Sequence, residues 1–352
     1  MGIRIFVWGA MLLFGISCGM LSLADEAPAK GKLLKTLRIL TLNVYGKKEH
    51  NCKERLRTIG KRILEATPRY DIVSFNEHYN PLVKLWFSCD GKALTNALQA
   101  GGLYKDRDEE VKNHKYYPKG GLFQANGGNS LFTLHNIIEF HSWKFKNSRP
   151  SIAMGYMLNR VQISRDLTID VWTTHIESAG PDHCSHACRV KQFKQMLKTQ
   201  EDYNQGNPVI LLGDFNTGGP LNLGHKKAHE EVDAETYPYP GNGGYDDYIN
   251  LYDNPLDVWI MANAKNKDAG YTFDCINNKT VDENCSYQER IDYILLPTSP
   301  KYQTELFTWE IVDSKIVKWK TDKGQDVSDH CGVEAMLNIY ESDPAFSSSD
   351  RR

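Results

Sequence analysis

The chain has 352 residues, of which 41% are hydrophobic and 24% are charged. These proportions are those of an ordinary soluble globular protein with enough apolar residues for a substantial core. The formal net charge is −2, so no overall positive field attracts the chain to nucleic acid. This balance disfavours a nuclease without excluding one, because a local basic groove is compatible with a neutral whole.

The N-terminal residues are typical of a secretory signal peptide. Arg4 provides a positive charge, an apolar run extends from Ile5 to Ile16, and the small residues Ser22 and Ala24 precede Asp25. The alternative is a membrane anchor, but the run is shorter than the roughly 20 residues that cross a bilayer. The sequence therefore predicts export to the extracellular space or the periplasm.

Length alone does not decide between one large domain and two smaller ones. No internal repeat, low-complexity tract or clear linker divides the chain. The predicted organisation is a signal peptide at residues 1–24, a lead at 25–36, a single domain at 37–341 and a flexible polar tail at 342–352.

Short β-rich runs alternate with polar loops between Lys30 and Ile339. The predicted strands are Leu37 to Val44, Ile72 to Phe75, Ser130 to Leu134, Met154 to Ile163, Ile169 to His175, Val209 to Gly213, Arg290 to Leu296 and Val333 to Ile339. Apolar residues at helical spacing predict helices from Lys53 to Ala66 and from Cys188 to Tyr203. The pattern favours one α/β domain with two packed sheets and flanking helices.

Two long segments, residues 101–128 and 218–250, have no regular pattern and are rich in Gly, Tyr and charge. Loops of this length in a compact domain tend to be functional or disordered. Their aromatic content argues against simple disorder.

Export makes a disulfide framework the natural interpretation of the cysteines. Without Cys18, seven of the eight cysteines remain, so one should be unpaired. Close spacing suggests the pairs Cys184–Cys188 and Cys275–Cys285 and leaves Cys52–Cys89, with Cys331 as a buried thiol. A zinc site at His183, Cys184, His186 and Cys188 is the rival interpretation.

Polar residues stand at or beside the ends of the predicted strands. They are Asn43, Asn76, Glu77, His175, Glu177, Asp214, Asn216, Asp292, Ser328, Asp329 and His330. Each residue alone is more often a turn, a helix cap or a solvated side chain. Strand ends converge on one rim of a sheet, however, so residues that are distant in sequence can meet there.

The order of these residues resembles the endonuclease/exonuclease/phosphatase superfamily. The resemblance extends from about Leu37 to Ile339, and its most specific parts are Gly213 to Asn216 and Ser328 to His330. Within the superfamily the chain looks most like the secreted neutral sphingomyelinases, through Thr174 to Ala179 and the pair Asn76-Glu77. The resemblance implies a four-layer sandwich in which two mixed β-sheets pack face to face with helices outside.

The chemistry of a phosphodiester requires cations, hydrogen-bond donors and a base, because water attacks in line while negative charge grows on the phosphoryl oxygens. Glu77 is the first-choice ligand for a hard divalent ion, with Asn43 as carbonyl ligand or orienting group and Asp329 in the metal shell. Mg²⁺ is the expected ion, and Mn²⁺ and Ca²⁺ are alternatives.

The remaining site residues are expected to act on the attacking water and the phosphoryl group. His330 is the predicted general base, because imidazole titrates near neutral pH, and Asp292 would orient it. Asp214 would position the nucleophile, while Asn216 and His175 donate hydrogen bonds to phosphoryl oxygens. An alternative assignment makes Asp214 the base and His330 the transition-state stabiliser.

Three functions compete for these residues. The first is hydrolysis of sphingomyelin to ceramide and phosphocholine at a membrane surface, with no obligate protein partner. The second is a secreted DNase-like endonuclease, which needs a basic track; residues 112–119 and 225–229 are short and flanked by acidic residues. The third is a degenerate binding module, which the intact set of polar residues disfavours.

A lipid substrate also requires contact with a membrane surface. Phe307, Trp309 and Trp319 could form an aromatic hairpin at headgroup level, and Lys315, Lys318 and Lys320 could meet anionic lipid. The alternative is that these aromatic residues belong to the core, because an alternating pattern is equally compatible with burial.

Overall fold

A computed structural model describes residues 31–79, 88–100, 102–106, 113–116, 125–149, 152–178, 184–219, 244–265, 270–278, 280 and 288–342. The predicted signal peptide, Cys285 and most of the 218–250 segment lie outside these residues. Among the helices described, none is long and apolar enough to cross a membrane.

The described helices and strands follow the predicted alternation along the chain. In chain order they are β1 (Leu33–Asn43), α1 (Cys52–Glu65), β2 (Ile72–Asn76), α2 (Lys92–Gln99), β3 (His114–Tyr116), β4 (Ala125–Asn126), β5 (Ser130–Thr133), β6 (Asn136–Lys144), β7 (Ile152–Ala153), β8 (Gly155–Ser164), β9 (Leu167–His175), α3 (His186–Asp202), β10 (Val209–Asp214), α4 (Gly244–Leu251), β11 (Leu256–Asp257), α5 (Val258–Asn263), β12 (Phe273–Asp274), β13 (Gln288–Glu289), β14 (Asp292–Leu296), β15 (Phe307–Val317) and β16 (Gly332–Glu341).

The strands form two six-stranded mixed sheets and two small two-stranded ones. The first large sheet has the order β15-β16-β1-β2-β5-β3, and the second has the order β11-β14-β10-β9-β8-β6. In the first sheet, β1 is parallel to β2 and antiparallel to β16. In the second sheet, β10 is parallel to β9 and antiparallel to β14. The two mixed sheets that the superfamily resemblance implied are therefore confirmed.

Side chains of the central strands alternate between two apolar environments, as the period of two in a strand requires. On β10, Ile210 and Leu212 belong to a core shared with Leu37 and Ile39 of the other sheet. Val209 and Leu211 point the other way and pack with residues of α3 and α4. On the outer face of the first sheet, Leu40 and Leu42 pack with residues of α1 and α2 in the same manner. The result is a sandwich of helices, sheet, sheet and helices.

All eight predicted strands and both predicted helices form, with bounds shifted by a few residues. The sequence analysis missed the helices α2, α4 and α5 and the strands of two or three residues. It also missed β6 and β15, which lie at sheet edges and carry polar residues along much of their length. Strand β15 occupies the segment proposed as an aromatic hairpin. Trp309 is buried in the intersheet core, and Phe307 and Trp319 are half-buried against apolar clusters. The core interpretation of these aromatic residues is therefore the right one.

Two of the predicted disulfides, Cys52–Cys89 and Cys184–Cys188, are present. Cys275 is also disulfide-bonded, while Cys331 is a buried free thiol, as expected. Because Cys184 and Cys188 are bonded to each other, the zinc interpretation of that cluster is wrong.

A buried ion pair joins β1 and β16 on the helix-covered face of the first sheet. The Arg38 guanidinium donates to both carboxylate oxygens of Glu334, at 3.1 and 3.0 Å, and Tyr70 and Lys315 also contact that carboxylate. Burial alone would raise the pKa of Glu334, but the hydrogen bonds from Arg38, Tyr70 and Lys315 lower it below its ordinary value. The ionised carboxylate therefore stabilises the fold.

Replacing Glu334 with Gln is expected to reduce the free energy of unfolding at pH 7 by about 3 kcal/mol, because Arg38 loses its buried partner. A carboxyl whose pKa is lowered by folding stabilises above its unfolded pKa, near 4.5, and loses that stabilisation as the pH falls through the folded pKa. The difference in the free energy of unfolding between the wild type and Glu334→Gln, measured by urea titration, should therefore shrink as the pH is lowered from 7 to 3. Glu341→Gln, at the end of β16, is the control, and a difference independent of pH would contradict the assignment.

Candidate active site

One edge of the sandwich carries the residues that the sequence analysis singled out. Strands β1, β2, β9 and β10 end there, and the antiparallel strands β14 and β16 begin there. In the second sheet Asp214 lies opposite His175 on one side and Asp292 on the other. Strand register alone therefore brings three of the predicted site residues together.

His330 and Asp292 form a buried hydrogen-bonded pair, with 2.8 Å between Nδ1 and Oδ2. The Asp292 backbone N–H donates to the Thr272 hydroxyl oxygen, and the backbone N–H of Cys331 donates to the carbonyl of the same threonine. Burial would lower the pKa of His330, but the charges of Asp292, Asp329 and Asp214 raise it well above its ordinary value. Without a bound ion the imidazole is therefore protonated at neutral pH.

Asp214 lies at the centre of the site. Its Oδ2 accepts a hydrogen bond from the Asn43 amide at 3.0 Å and lies 3.4 Å from His175 Nε2 and 3.8 Å from His330 Nε2. Burial and the negative charge of Asp292 raise the pKa of Asp214 above its ordinary value, although both histidines act in the opposite direction.

The tautomer of His175 follows from its other ring nitrogen. Nδ1 lies 3.2 Å from the carbonyl oxygen of Gly127, which can only accept, so Nδ1 carries a proton. His175 Nε2 then faces Asp214 Oδ2 at 3.4 Å.

Asn216 adopts a left-handed backbone with φ of 47°. Its backbone N–H donates to Asp214 Oδ1 at 2.9 Å, and its side-chain amide donates to the carbonyl of Ile176 at 2.8 Å. These bonds connect the end of β10 to the end of β9. A contact with a phosphoryl oxygen would use the second amide hydrogen, and it stays a prediction.

Glu77 carries the clearest sign of a metal site. Its Oε1 accepts from the Asn43 amide at 3.3 Å, while its Oε2 is buried and has no hydrogen-bond partner within the described part of the chain. A buried carboxylate oxygen without a partner is costly, so the position suits a cation ligand. The backbone leaves little room here, because a Cβ on Gly128 would lie 2.6 Å from the Cα of Glu77.

Asp329 and Asn43 complete the predicted metal set. Burial, together with the charge of Glu77, raises the pKa of Asp329 to about 6, against the opposing effect of His330. The Asn43 Oδ1 accepts from the backbone N–H of Tyr45 at 3.0 Å, and its amide faces Glu77 and Asp214. In this orientation Asn43 directs the two carboxylates, and its role as a carbonyl ligand stays a prediction.

A second group of possible ligands lies beside the first. Atoms of Asp214, Asp292 and His330 lie within 4.8 Å of one another, so this group could also hold an ion. Among the described residues, Asp292 Oδ1 and Glu77 Oε2 are both buried without a hydrogen-bond partner, but Asp292 is already paired with His330 through Oδ2, whereas Glu77 contacts only the Asn43 amide. We therefore regard the Glu77 side of the site as the better cation position.

Two structural residues of the site had no role assigned from the sequence. Asn76 joins the sheets, since its amide donates to the Thr174 carbonyl and its Oδ1 accepts from the Asp214 backbone N–H. The Ser328 hydroxyl donates to the Asn43 carbonyl at 2.6 Å and accepts from the His330 backbone N–H. The only sequence signal for either residue was its place inside a superfamily motif.

A cation near the site was also missed. The Arg149 guanidinium lies 2.6 Å from Glu177, which is fully buried just after β9. Burial raises the pKa of the Tyr79 phenol well above its ordinary value, and the charges of Glu77, Arg149, Asp329 and Glu177 also act on it. Because Glu177 follows the last residue of β9 by two positions, its contact places Arg149 close to the edge where β9 ends. Its position in an irregular loop gave no sequence signal.

The sequence profile of the Endonuclease/Exonuclease/phosphatase family matches residues 40–330. This chain belongs to that family. A search of curated protein sequences found no match.

Solved structures share the fold. D. rerio TDP2 complexed with a single-strand DNA product has a TM-score of 0.59 at 18% identity, covering 87% of this chain and 100% of that one. An endonuclease/exonuclease/phosphatase family protein from Leptotrichia buccalis C-1013-b has a TM-score of 0.54 at 20% identity, covering 86% and 99%. Beta toxin from Staphylococcus aureus has a TM-score of 0.55 at 17% identity, covering 85% and 99%.

Adding Mn²⁺ or Mg²⁺ to the EDTA-treated protein is expected to raise its melting temperature, since saturation at 100 times Kd contributes about 2.7 kcal/mol. Glu77→Gln should abolish this increase and leave the ion-free protein at least as stable as the wild type, because an uncompensated buried charge is removed. Differential scanning calorimetry measures both quantities. Glu65→Gln, on the exposed end of α1, should keep the full increase, and a Glu77→Gln protein that also keeps it would contradict the assignment.

Proposed function

We propose that this protein is a secreted, divalent-metal-dependent phosphodiesterase that hydrolyses sphingomyelin to ceramide and phosphocholine. The observation that carries the hydrolase assignment is that a buried Glu77 oxygen, unpartnered among the residues the structure describes, lies at the same edge as the His330–Asp292 pair. The Asn43 amide connects the Glu77 side of the site to the His330 side, because it donates to both Glu77 and Asp214.

Glu77 and Asp329 would hold the ion, most plainly Mg²⁺, because hard dications prefer carboxylate oxygens. When bound, the ion neutralises these carboxylates, polarises the phosphoryl group and shields the departing alkoxide. With Asp329 neutralised, one of the charges that raise the pKa of His330 would be weaker, and the imidazole would move toward the range of a general base.

In this proposal His330 takes the proton from the attacking water through Nε2, because Nδ1 is held by Asp292. Asp214 positions that water, and its Oδ2 lies 3.8 Å from His330 Nε2, beyond direct hydrogen-bond length. His175, Asn216 and Arg149 supply donors and positive charge toward the phosphoryl oxygens. The exchanged assignment, with Asp214 as base and protonated His330 as stabiliser, uses the same geometry.

The lipid assignment has its support in the sequence, through Asn76-Glu77 and the stretch from Thr174 to Ala179. The net charge of −2 suits a zwitterionic headgroup better than a polyanion. Near the site, the basic edge at Lys315, Lys318 and Lys320 is paired with carboxylates at 3.1, 3.5 and 3.6 Å. This edge and the buried Trp309 offer no support for the proposed membrane hairpin, so the membrane contact must use other residues.

Secretion is supported by the disulfides of the described chain. Cys52–Cys89 and Cys184–Cys188 require an oxidising compartment to persist. The predicted signal peptide, which lies outside the described residues, would direct the chain there.

Asp292→Asn is expected to lower kcat by about 10²–10³-fold, the usual contribution of a positioned base. The acid limb of the pH–rate profile should also move to lower pH, because the Asp292 carboxylate raises the pKa of both His330 and Asp214. Asp170→Asn, which breaks a buried pair with Arg160 in the second sheet, is the structural control and should keep the wild-type profile. If the acid limb of the pH–rate profile is unshifted in Asp292→Asn, the role given to the His330–Asp292 pair is refuted.

The substrate class is tested by incubating purified protein and Mg²⁺ with sphingomyelin vesicles and, separately, with plasmid DNA, each with and without EDTA. We expect release of phosphocholine from the vesicles that EDTA abolishes, and intact plasmid. The Glu77→Gln protein, prepared in parallel, identifies any contaminating hydrolase. Cleavage of DNA alone would replace the lipid assignment by the nuclease, and EDTA-resistant turnover would remove the metal from the mechanism.

A further inference from the structure

Arg55, on the first turn of α1, is a fully buried arginine that the proposed mechanism does not use. Its guanidinium donates only to backbone carbonyl oxygens, and among the described residues it has no hydrogen bond to a carboxylate. The acceptors are Val44, Tyr45, Lys47, Glu49, His50 and Val327. A buried charge usually has an ionic partner, so this arrangement requires an explanation.

The carbonyl groups that Arg55 contacts belong to two chain segments at the candidate active site. Residues 44–50 connect β1 to α1, directly after Asn43, and Tyr45 and His50 in this loop have left-handed φ values of 48° and 53°. Val327, at 2.8 Å from Arg55, comes directly before the segment 328–330. Arg55 therefore ties the loop that follows Asn43 to the loop that contains His330.

Each tied segment acts on a residue of the site. The backbone N–H of Tyr45 holds the Asn43 side chain, whose amide faces Glu77 and Asp214. The Ser328 hydroxyl, one residue beyond Val327, binds the Asn43 carbonyl and the His330 backbone N–H. A shift of either loop would change the distance between the Glu77 carboxylate and the His330 imidazole.

Charged groups of the site act on the buried guanidinium of Arg55. Burial lowers the pKa of Arg55, while the charges of Asp329, Tyr45 and Glu77 act in the opposite direction. The Tyr45 ring also faces the guanidinium, with 5.1 Å to its centroid. The negative charges of Asp329 and Glu77 therefore favour the charged form of Arg55, which donates to the loops.

We propose that Arg55 is a positioning residue that sets the alignment of the cation site at Glu77 with the His330 imidazole. Arginine suits this role because its planar group presents five N–H donors in a fixed arrangement, whereas lysine presents three. A lysine at this position would keep the charge and lose most of the bonds that hold the loops. The inference rests on the proposed function for its kinetic consequences only.

Arg55→Lys and Arg55→Met separate charge from alignment. Because misplacement of reacting groups by about 1 Å costs on the order of 10²-fold in rate, we expect kcat to fall about 10-fold in Arg55→Lys and about 100-fold in Arg55→Met. KM for the lipid should stay within about two-fold, since the bound substrate loses no contact. The dissociation constant for Mn²⁺, measured by electron paramagnetic resonance, should rise in the same order.

Arg160 provides the matched control, because it is equally buried and binds Asp170, Glu139 and the Tyr203 carbonyl away from the site edge. Arg160→Lys and Arg160→Met should lose stability without changing kcat or Mn²⁺ affinity, each measured well below the melting temperature.

Unchanged kcat and Mn²⁺ affinity in Arg55→Met would overturn the inference. Losses of kcat and Mn²⁺ affinity in Arg160→Met equal to those in Arg55→Met would also overturn it, and so would wild-type kcat and Mn²⁺ affinity in Arg55→Lys. If the wild type hydrolyses no phosphodiester, the proposed function fails, while the Mn²⁺ titration still decides the role of Arg55.

Discussion

Mutual repulsion between buried carboxylates is the constraint on which the site depends. Glu77, Asp214, Asp292 and Asp329 converge on one edge of the sandwich, and two of them are almost fully buried. Histidine protons, backbone N–H groups and the Asn43 amide offset part of this charge. No group in the described ranges binds Glu77 Oε2, and a dication is the natural group to complete the balance.

The division of the site between two sheets makes its geometry depend on the intersheet core. Asn43 ends β1 and Glu77 follows β2 in the first sheet, whereas His175, Asp214 and Asp292 belong to the second. Apolar side chains such as Ile39 and Ile210 set the separation of the sheets, and the Asn76 amide crosses between them at the edge. Close packing resists compression and sliding, so the core also holds the reacting groups in position.

The sequence predicted the central strands well because they are buried on both faces and read as continuous apolar runs. Edge strands such as β6 and β15 are half-exposed, and their many polar residues interrupt the apolar pattern by which a strand is recognised in the sequence. The convergence of Asn43, Glu77, Asp214, Asp292 and His330 followed from motif order, which reflects strand ends. Contacts made through backbone carbonyls, as at Arg55, or from an irregular loop, as at Arg149, leave no periodic signal and required the structure.

Three residues of the charged site have a strained backbone. Tyr45, Glu77 and Asn216 all have left-handed φ, between 47° and 55°, and such a conformation in a residue other than glycine costs about 1–3 kcal/mol. Each is held by contacts that a neighbouring part of the site supplies: Asn43 for Tyr45, Asn43 again for Glu77, and Asp214 for Asn216. The strain therefore persists only while the carboxylates and amides are in register. Fold stability at this edge and alignment of the reacting groups consequently depend on the same hydrogen bonds.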